Sequence, residues 1–109
     1  MTGITTHVLD VTLGKPAVGI RVLLFEQSLD EWVLLAESQT DSEGRCKNLG
    51  VQALAGIYKL TFFVGSYFAE LNRKSLFPQV DVTFEVTDRR HYHLPLLLSE
   101  NSYTTCRGS

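Results

Sequence analysis

Apolar residues recur along this chain at a spacing of two, in short runs cut off by glycine, proline or polar clusters. That spacing sends successive side chains to opposite faces of an extended strand, one face for the core and one for solvent. The first run spans Ile4 to Val11. Gly14, Pro16 and Gly19 punctuate the passage to a second run, Ile20 to Glu26, and the two are expected to pair as a hairpin. After the polar Gln27 to Glu31, the stretch Trp32 to Thr40 reads as a third strand. Asp41-Ser42-Glu43-Gly44 then supplies turn chemistry and puts Arg45 at a strand start. Gly56 to Val64 is rich in aromatic and β-branched residues and is stopped by Gly65. Val80, Val82, Phe84 and Val86 alternate against Asp81, Thr83 and Glu85 until Asp88 and Arg89 break the pattern. His91 to Leu98 and Ser102 to Cys106 supply the last two strands.

One helix is predicted, over Ser66 to Asn72, with Ser66 as N-cap and Ala69, Glu70 and Leu71 as fair helix formers. Seven or eight short strands with one short helix predict an all-β, two-sheet sandwich. Its exposed strand edges invite pairing with another chain. With 109 residues and no internal repeat, a single domain over residues 1–109 is expected.

Composition narrows the picture mainly by exclusion. A formal net charge of −2, with basic residues scattered, gives no reason to expect nucleic acid or an acidic membrane surface as partner. Met1-Thr2-Gly3 runs straight into the first strand without a charged-then-apolar leader, and no segment is long enough to span a bilayer. The two cysteines, Cys46 and Cys106, then read as reduced thiols, and a cytoplasmic location is the default, with peroxisome and periplasm as alternatives.

Alternation also sorts the candidate chemistry. Tyr92, Leu94, Leu96 and Leu98 form a core face, which turns His91, His93, Pro95 and Leu97 the other way. In the first strand Thr5, His7 and Leu9 lie opposite Val8. Imidazoles titrate near neutral pH and act as general base or acid, so His7 and His93 on neighbouring faces suit hydrolysis. Taken alone, a strand histidine is more often an exposed or structural polar residue. Arg45 could grip a carbonyl-rich ligand through its planar fork, or be a solvated turn arginine. No metal is expected, because His91-x-His93 is the only close pair and neither cysteine sits in a C-x-x-C arrangement. Nucleophile elbows and phosphate loops are absent.

Five pieces in order change these odds: Thr6-His7-Val8-Leu9-Asp10, Thr40-Asp41-Ser42-Glu43-Gly44-Arg45, Gly56-Ile57-Tyr58-Lys59-Leu60, the run from His91 to Ser99, and Arg107-Gly108-Ser109. Over essentially its whole length the chain resembles the transthyretin-related 5-hydroxyisourate hydrolases. The hormone carrier transthyretin shares their framework but not the set of His7, Arg45 and His93 at the matching positions. One departure stands out: the family ends Tyr-Arg-Gly-Ser, whereas Cys106 precedes Arg107 here.

The resemblance implies a transthyretin-like (prealbumin-like) sandwich and a homotetramer, a dimer of dimers with active sites in a central channel. The implied substrate is 5-hydroxyisourate, a small purine-derived molecule whose six-membered ring is opened by water, with no cofactor, nucleic acid or membrane involved. His7 and His93 are the candidates for general base, with the assignment between them open, and Arg45 would stabilise developing negative charge. Cys106, Arg107 and Gly108 would line the substrate pocket, and the Ser109 end of the chain would complete it and fix a histidine tautomer. The alternatives are a non-catalytic carrier of small aromatic ligands, favoured by the missing tyrosine, and a purely structural interaction module.

Overall fold

The computed structural model describes residues 3–47, 49–50 and 53–108. Their strands are β1 (Ile4–Asp10), β2 (Lys15–Pro16), β3 (Arg21–Ser28), β4 (Glu31–Gln39), β5 (Arg45–Cys46), β6 (Gly56–Phe62), β7 (Val80–Val86), β8 (Tyr92–Leu98) and β9 (Tyr103–Thr105), with helix α1 (Val64–Glu70) after β6. They form two sheets, as the alternation predicts. One runs β2-β1-β8-β9 with β5 also on β1, and the other runs β4-β3-β6-β7. Only β1 and β8 pair in parallel; every other pairing among the described strands is antiparallel.

Burial follows the alternation. Ile4 and Val8 of β1 and Leu96 and Leu98 of β8 face Val22, Leu24, Leu60 and Phe62 across the sandwich, all at most 2% exposed. Each such side chain contributes about 1.5–3 kcal/mol, which fixes the register, since a slip of one residue would turn each row into solvent.

The expected hairpin between the first two runs does not form, because β1 and β3 belong to different sheets. Both runs bury alternate residues in the same core, but from opposite sheets, so they face one another rather than lie side by side. The chain turns back after β1 into β2, where Leu9 opposes Pro16, and Gly19 at φ 85° takes it across to the other sheet. Thr40 ties this crossing by donating to the Ala17 carbonyl and accepting the Ile20 N–H, both at 2.8 Å.

The helix also differs from expectation. It starts at Val64, and Phe63 takes the N-cap position without a side-chain cap, so Ser66 lies inside as an exposed residue. Val64, Tyr67 and Phe68, at helical spacing, set its start by burying one face. Gly65 belongs to the helix rather than stopping a strand: its N–H bonds the Pro78 carbonyl at 3.0 Å, and a Cβ there would come within 2.8 Å of that oxygen.

β1 ends at a saturated polar cluster. The fully buried Asp10 carboxylate accepts from the Arg73 guanidinium, from Tyr67 at 2.7 Å and from the Leu13 N–H at 3.1 Å. Arg73 also binds Glu100 at 3.0 Å and lies over the Phe68 ring. Burial pushes the Asp10 carboxyl up, but the donors outweigh it and hold it below its ordinary 3.8. Burial and the same carboxylate push Tyr67 up to about 12. Among the described residues no buried side-chain polar atom lacks a partner, and no helix is long and apolar enough to cross a membrane.

Candidate active site

Pairing of β1 with β5 and β8 gathers the outward residues of the first sheet. His7 stands opposite Arg45 on one side and Pro95 on the other, while Thr5 stands opposite His93. Directly opposed residues share a face. His7, Arg45 and His93 therefore project together from the outer surface, away from the core.

Arg45 is delivered by its turn. Asp41 Oδ1 accepts the N–H groups of Glu43 at 2.9 Å and Arg45 at 3.0 Å. Those bonds, Arg45's first, hold the Asp41 carboxyl below its usual range. Gly44, at φ 77°, rests against β1: its carbonyl accepts the Val8 N–H at 2.8 Å, and a Cβ would come within 2.4 Å of the Val8 oxygen. Only glycine permits that approach. Arg45 itself is exposed, and among the described residues no carboxylate pairs with it.

His93 is gripped from both sides. Thr5 Oγ1 lies 2.8 Å from its Nδ1, and the Gly108 N–H bonds the His93 carbonyl. A Cβ on Gly108 would come within 2.8 Å of His93 Cδ2, so a larger residue there would displace the ring. Thr5 Oγ1 also lies 2.8 Å from Nε2 of the exposed His91. Burial first, and then the positive charges of Arg45, His7 and His91, hold the His93 imidazole below its ordinary 6.5. It is therefore neutral at neutral pH, the form a general base requires.

The predicted lining residues divide. The register that opposes Leu96 to Thr105 and His93 to Gly108 sets Cys106 opposite Pro95, on the imidazole face, where it is an exposed free thiol. Arg107 turns to the other face. Its guanidinium stacks 3.8 Å from the Tyr92 ring centroid and pairs with Asp88 at 3.2 Å, which holds the Asp88 carboxyl down at about 2. The structure does not bring Arg107 to the imidazoles. Ser109 lies outside the described residues. Among the described residues no group of three His, Cys, Asp or Glu could hold a metal. Thr5 escaped the sequence reading as a site residue, although alternation already put it on the face of His7.

Residues 4–108 match the model of the HIUase/Transthyretin family. The chain belongs to that family. The mouse 5-hydroxyisourate hydrolase is 42% identical, over 97% of this chain and 94% of its own. The solved Klebsiella pneumoniae 5-hydroxyisourate hydrolase superposes with a TM-score of 0.90 at 34% identity, covering all of both chains. Sea bream transthyretin in complex with thyroxine superposes at 0.92 and 30% identity, over 96% of this chain and 93% of its own. Family membership thus spans enzymes and a ligand-binding protein on one backbone, and the polar face of β1, β5 and β8 must decide between them.

Proposed function

We propose that this chain is a 5-hydroxyisourate hydrolase, and that His7, Arg45 and His93 carry the reaction. The observation behind this reading is the convergence of two imidazoles and a guanidinium, unpaired among the described residues, on one face, with His93 kept neutral. One imidazole takes a proton from water, which attacks a ring carbonyl of the substrate. Arg45 stabilises the negative charge that develops on the carbonyl oxygen. The other imidazole gives a proton to the departing ring nitrogen as the cyclic amide bond breaks, so the purine-derived ring opens without a cofactor. Gly108 seats the His93 ring, Cys106 borders the pocket, and Ser109 would close it.

The active form in this reading is a homotetramer, a dimer of dimers, built from one domain per chain. Its support is exposed apolar surface in the single chain, Leu97 on the imidazole face and Val11, Leu13 and Val18 in the turns that follow β1 and β2. Two free thiols suit a reducing cytoplasm. A carrier of small aromatic ligands is the second reading, favoured by the small Cys106 side chain on the same face. Ultraviolet decay of 5-hydroxyisourate, made in place from urate by urate oxidase, separates the two. Acceleration by this protein supports the enzyme; decay at the spontaneous rate, with aromatic ligands bound, supports the carrier.

A further inference from the structure

We propose that Thr5 is a positioning residue of this site: its hydroxyl, 2.8 Å from both His91 Nε2 and His93 Nδ1, links the two rings in a proton relay that sets the tautomer of His93. The inference rests on the hydrolase reading above and assigns the nitrogen that faces water.

A threonine hydroxyl has one proton to donate, so it cannot satisfy two bare ring nitrogens at once. When His91 offers a bare Nε2, Thr5 donates to it and accepts from His93 Nδ1–H. Nε2 of His93 is then left with its lone pair, since Nδ1 is occupied by Thr5 and the Cδ2 edge rests on Gly108. The base is Nε2.

Proton transfer along this chain balances. Water gives a proton to His93 Nε2 and attacks as hydroxide. The proton on Nδ1 passes to Thr5 Oγ1, and the proton Thr5 held passes to His91 Nε2. His93 stays uncharged with the water proton on Nε2, the positive charge sits on His91, and the departing nitrogen takes its proton from the other imidazole of the site, His7.

Electrostatics favours that direction. Among the described residues the charged and titratable groups around the two linked rings are His7 from β1, Arg45 from β5, Cys106 beside β8 and the Arg107 guanidinium, which lies 3.4 Å from the His91 carbonyl and is paired with Asp88. Arg45 is permanently charged, so a cation formed on the half-buried His93 is opposed, whereas the exposed His91 ring meets solvent. A proton on His91 Nε2 reverses the chain: Nε2–H donates to Thr5, Thr5 donates to His93 Nδ1, and the base nitrogen is capped.

The test compares Thr5→Val, which keeps the branched shape without the hydroxyl, with Thr5→Ser, which keeps the hydroxyl. Thr5→Val should lower kcat about 10-fold to 100-fold with KM little changed, and Thr5→Ser should retain most of the activity. His91→Phe should lower kcat in the same direction. Nitrogen-15 spectra of labelled histidine should show His93 as the Nδ1–H tautomer at neutral pH, a preference lost in Thr5→Val. Circular dichroism and oligomeric size serve as controls for folding. Wild-type kcat and an unchanged His93 tautomer in Thr5→Val would overturn the relay. Because the spectra need no turnover, a protein that hydrolyses nothing yet loses the tautomer in Thr5→Val would overturn the hydrolase reading and keep the relay.

Discussion

The two ends of β1 hold polar groups in opposite conditions. At its C-terminal end the Asp10 carboxylate is fully buried and saturated by Arg73, Tyr67 and a backbone N–H. Toward its N-terminal end His7 and Thr5 share an open face with Arg45 and His93, where the guanidinium has no carboxylate among the described residues. Charge that is spent on neighbours holds a fold together. Charge left unspent beside a neutral imidazole is available to a ligand.

The largest effects should come from removing the open end. His7→Ala or His93→Ala should lower kcat/KM about 100-fold to 10,000-fold while leaving secondary structure and assembly intact, measured by ultraviolet decay and light scattering. Wild-type rates in both variants would take the imidazoles out of the chemistry.

At the saturated end the same operation should do the reverse. Arg73→Ala strands a buried carboxylate, and breaking such a pair costs about 3–5 kcal/mol, read as a lower denaturant midpoint. The kcat/KM of the protein that remains folded should match wild type; a large fall in kcat/KM would mean that the two ends of β1 are coupled.

Acid should separate the ends without any mutation. His93 is held below 6.5, so its base form persists through neutral pH and is lost as pH falls through the depressed value. Asp10 is held below 3.8, so its contribution to stability is full above the unfolded value and disappears only as pH falls through the lower folded value. A pH profile of kcat/KM should thus drop while circular dichroism is still native. Simultaneous loss of both would contradict the contrast.

The smallest effect concerns the rim of the open face. Cys106→Tyr should raise kcat/KM, because a ring on that face narrows the pocket and excludes water better than a thiol. In the native protein a thiol reagent should modify the exposed Cys106 and spare Cys46, which is 1% exposed. An inert Cys106 with unaltered kinetics in the tyrosine variant would move that residue off the pocket.

Alternation alone made much of this legible. It turned Tyr92, Leu94, Leu96 and Leu98 inward and His91 and His93 outward, and the turn chemistry of Asp41 to Gly44 put Arg45 at a strand start, all as found. The same rule, applied past β9, separates Cys106 from Arg107, which cannot both face the imidazoles. Which strands become neighbours was not legible, because pairing depends on how two sheets share a core. The hairpin expected between Ile4 to Val11 and Ile20 to Glu26 failed for that reason, and so Thr5 could not be placed between two histidines from its position in the chain. Local polarity misled at Ser66, where buried Val64, Tyr67 and Phe68 outweighed a capping preference.

The parallel pairing of β1 with β8 has a kinetic consequence. Thr5 and His93 are separated by 88 positions, whereas β3 and β4 are joined by a turn of two residues. Closing a long loop costs more entropy than closing a short one, and nonlocal strand pairing is correspondingly slow. During synthesis the β3–β4 hairpin can form early, and β1 can meet the short β2 and β5, but its full-length partner β8 is made near the end. The histidine face is then the last part of the molecule to come into being, and a chain interrupted before β8 can hold a hairpin but no site.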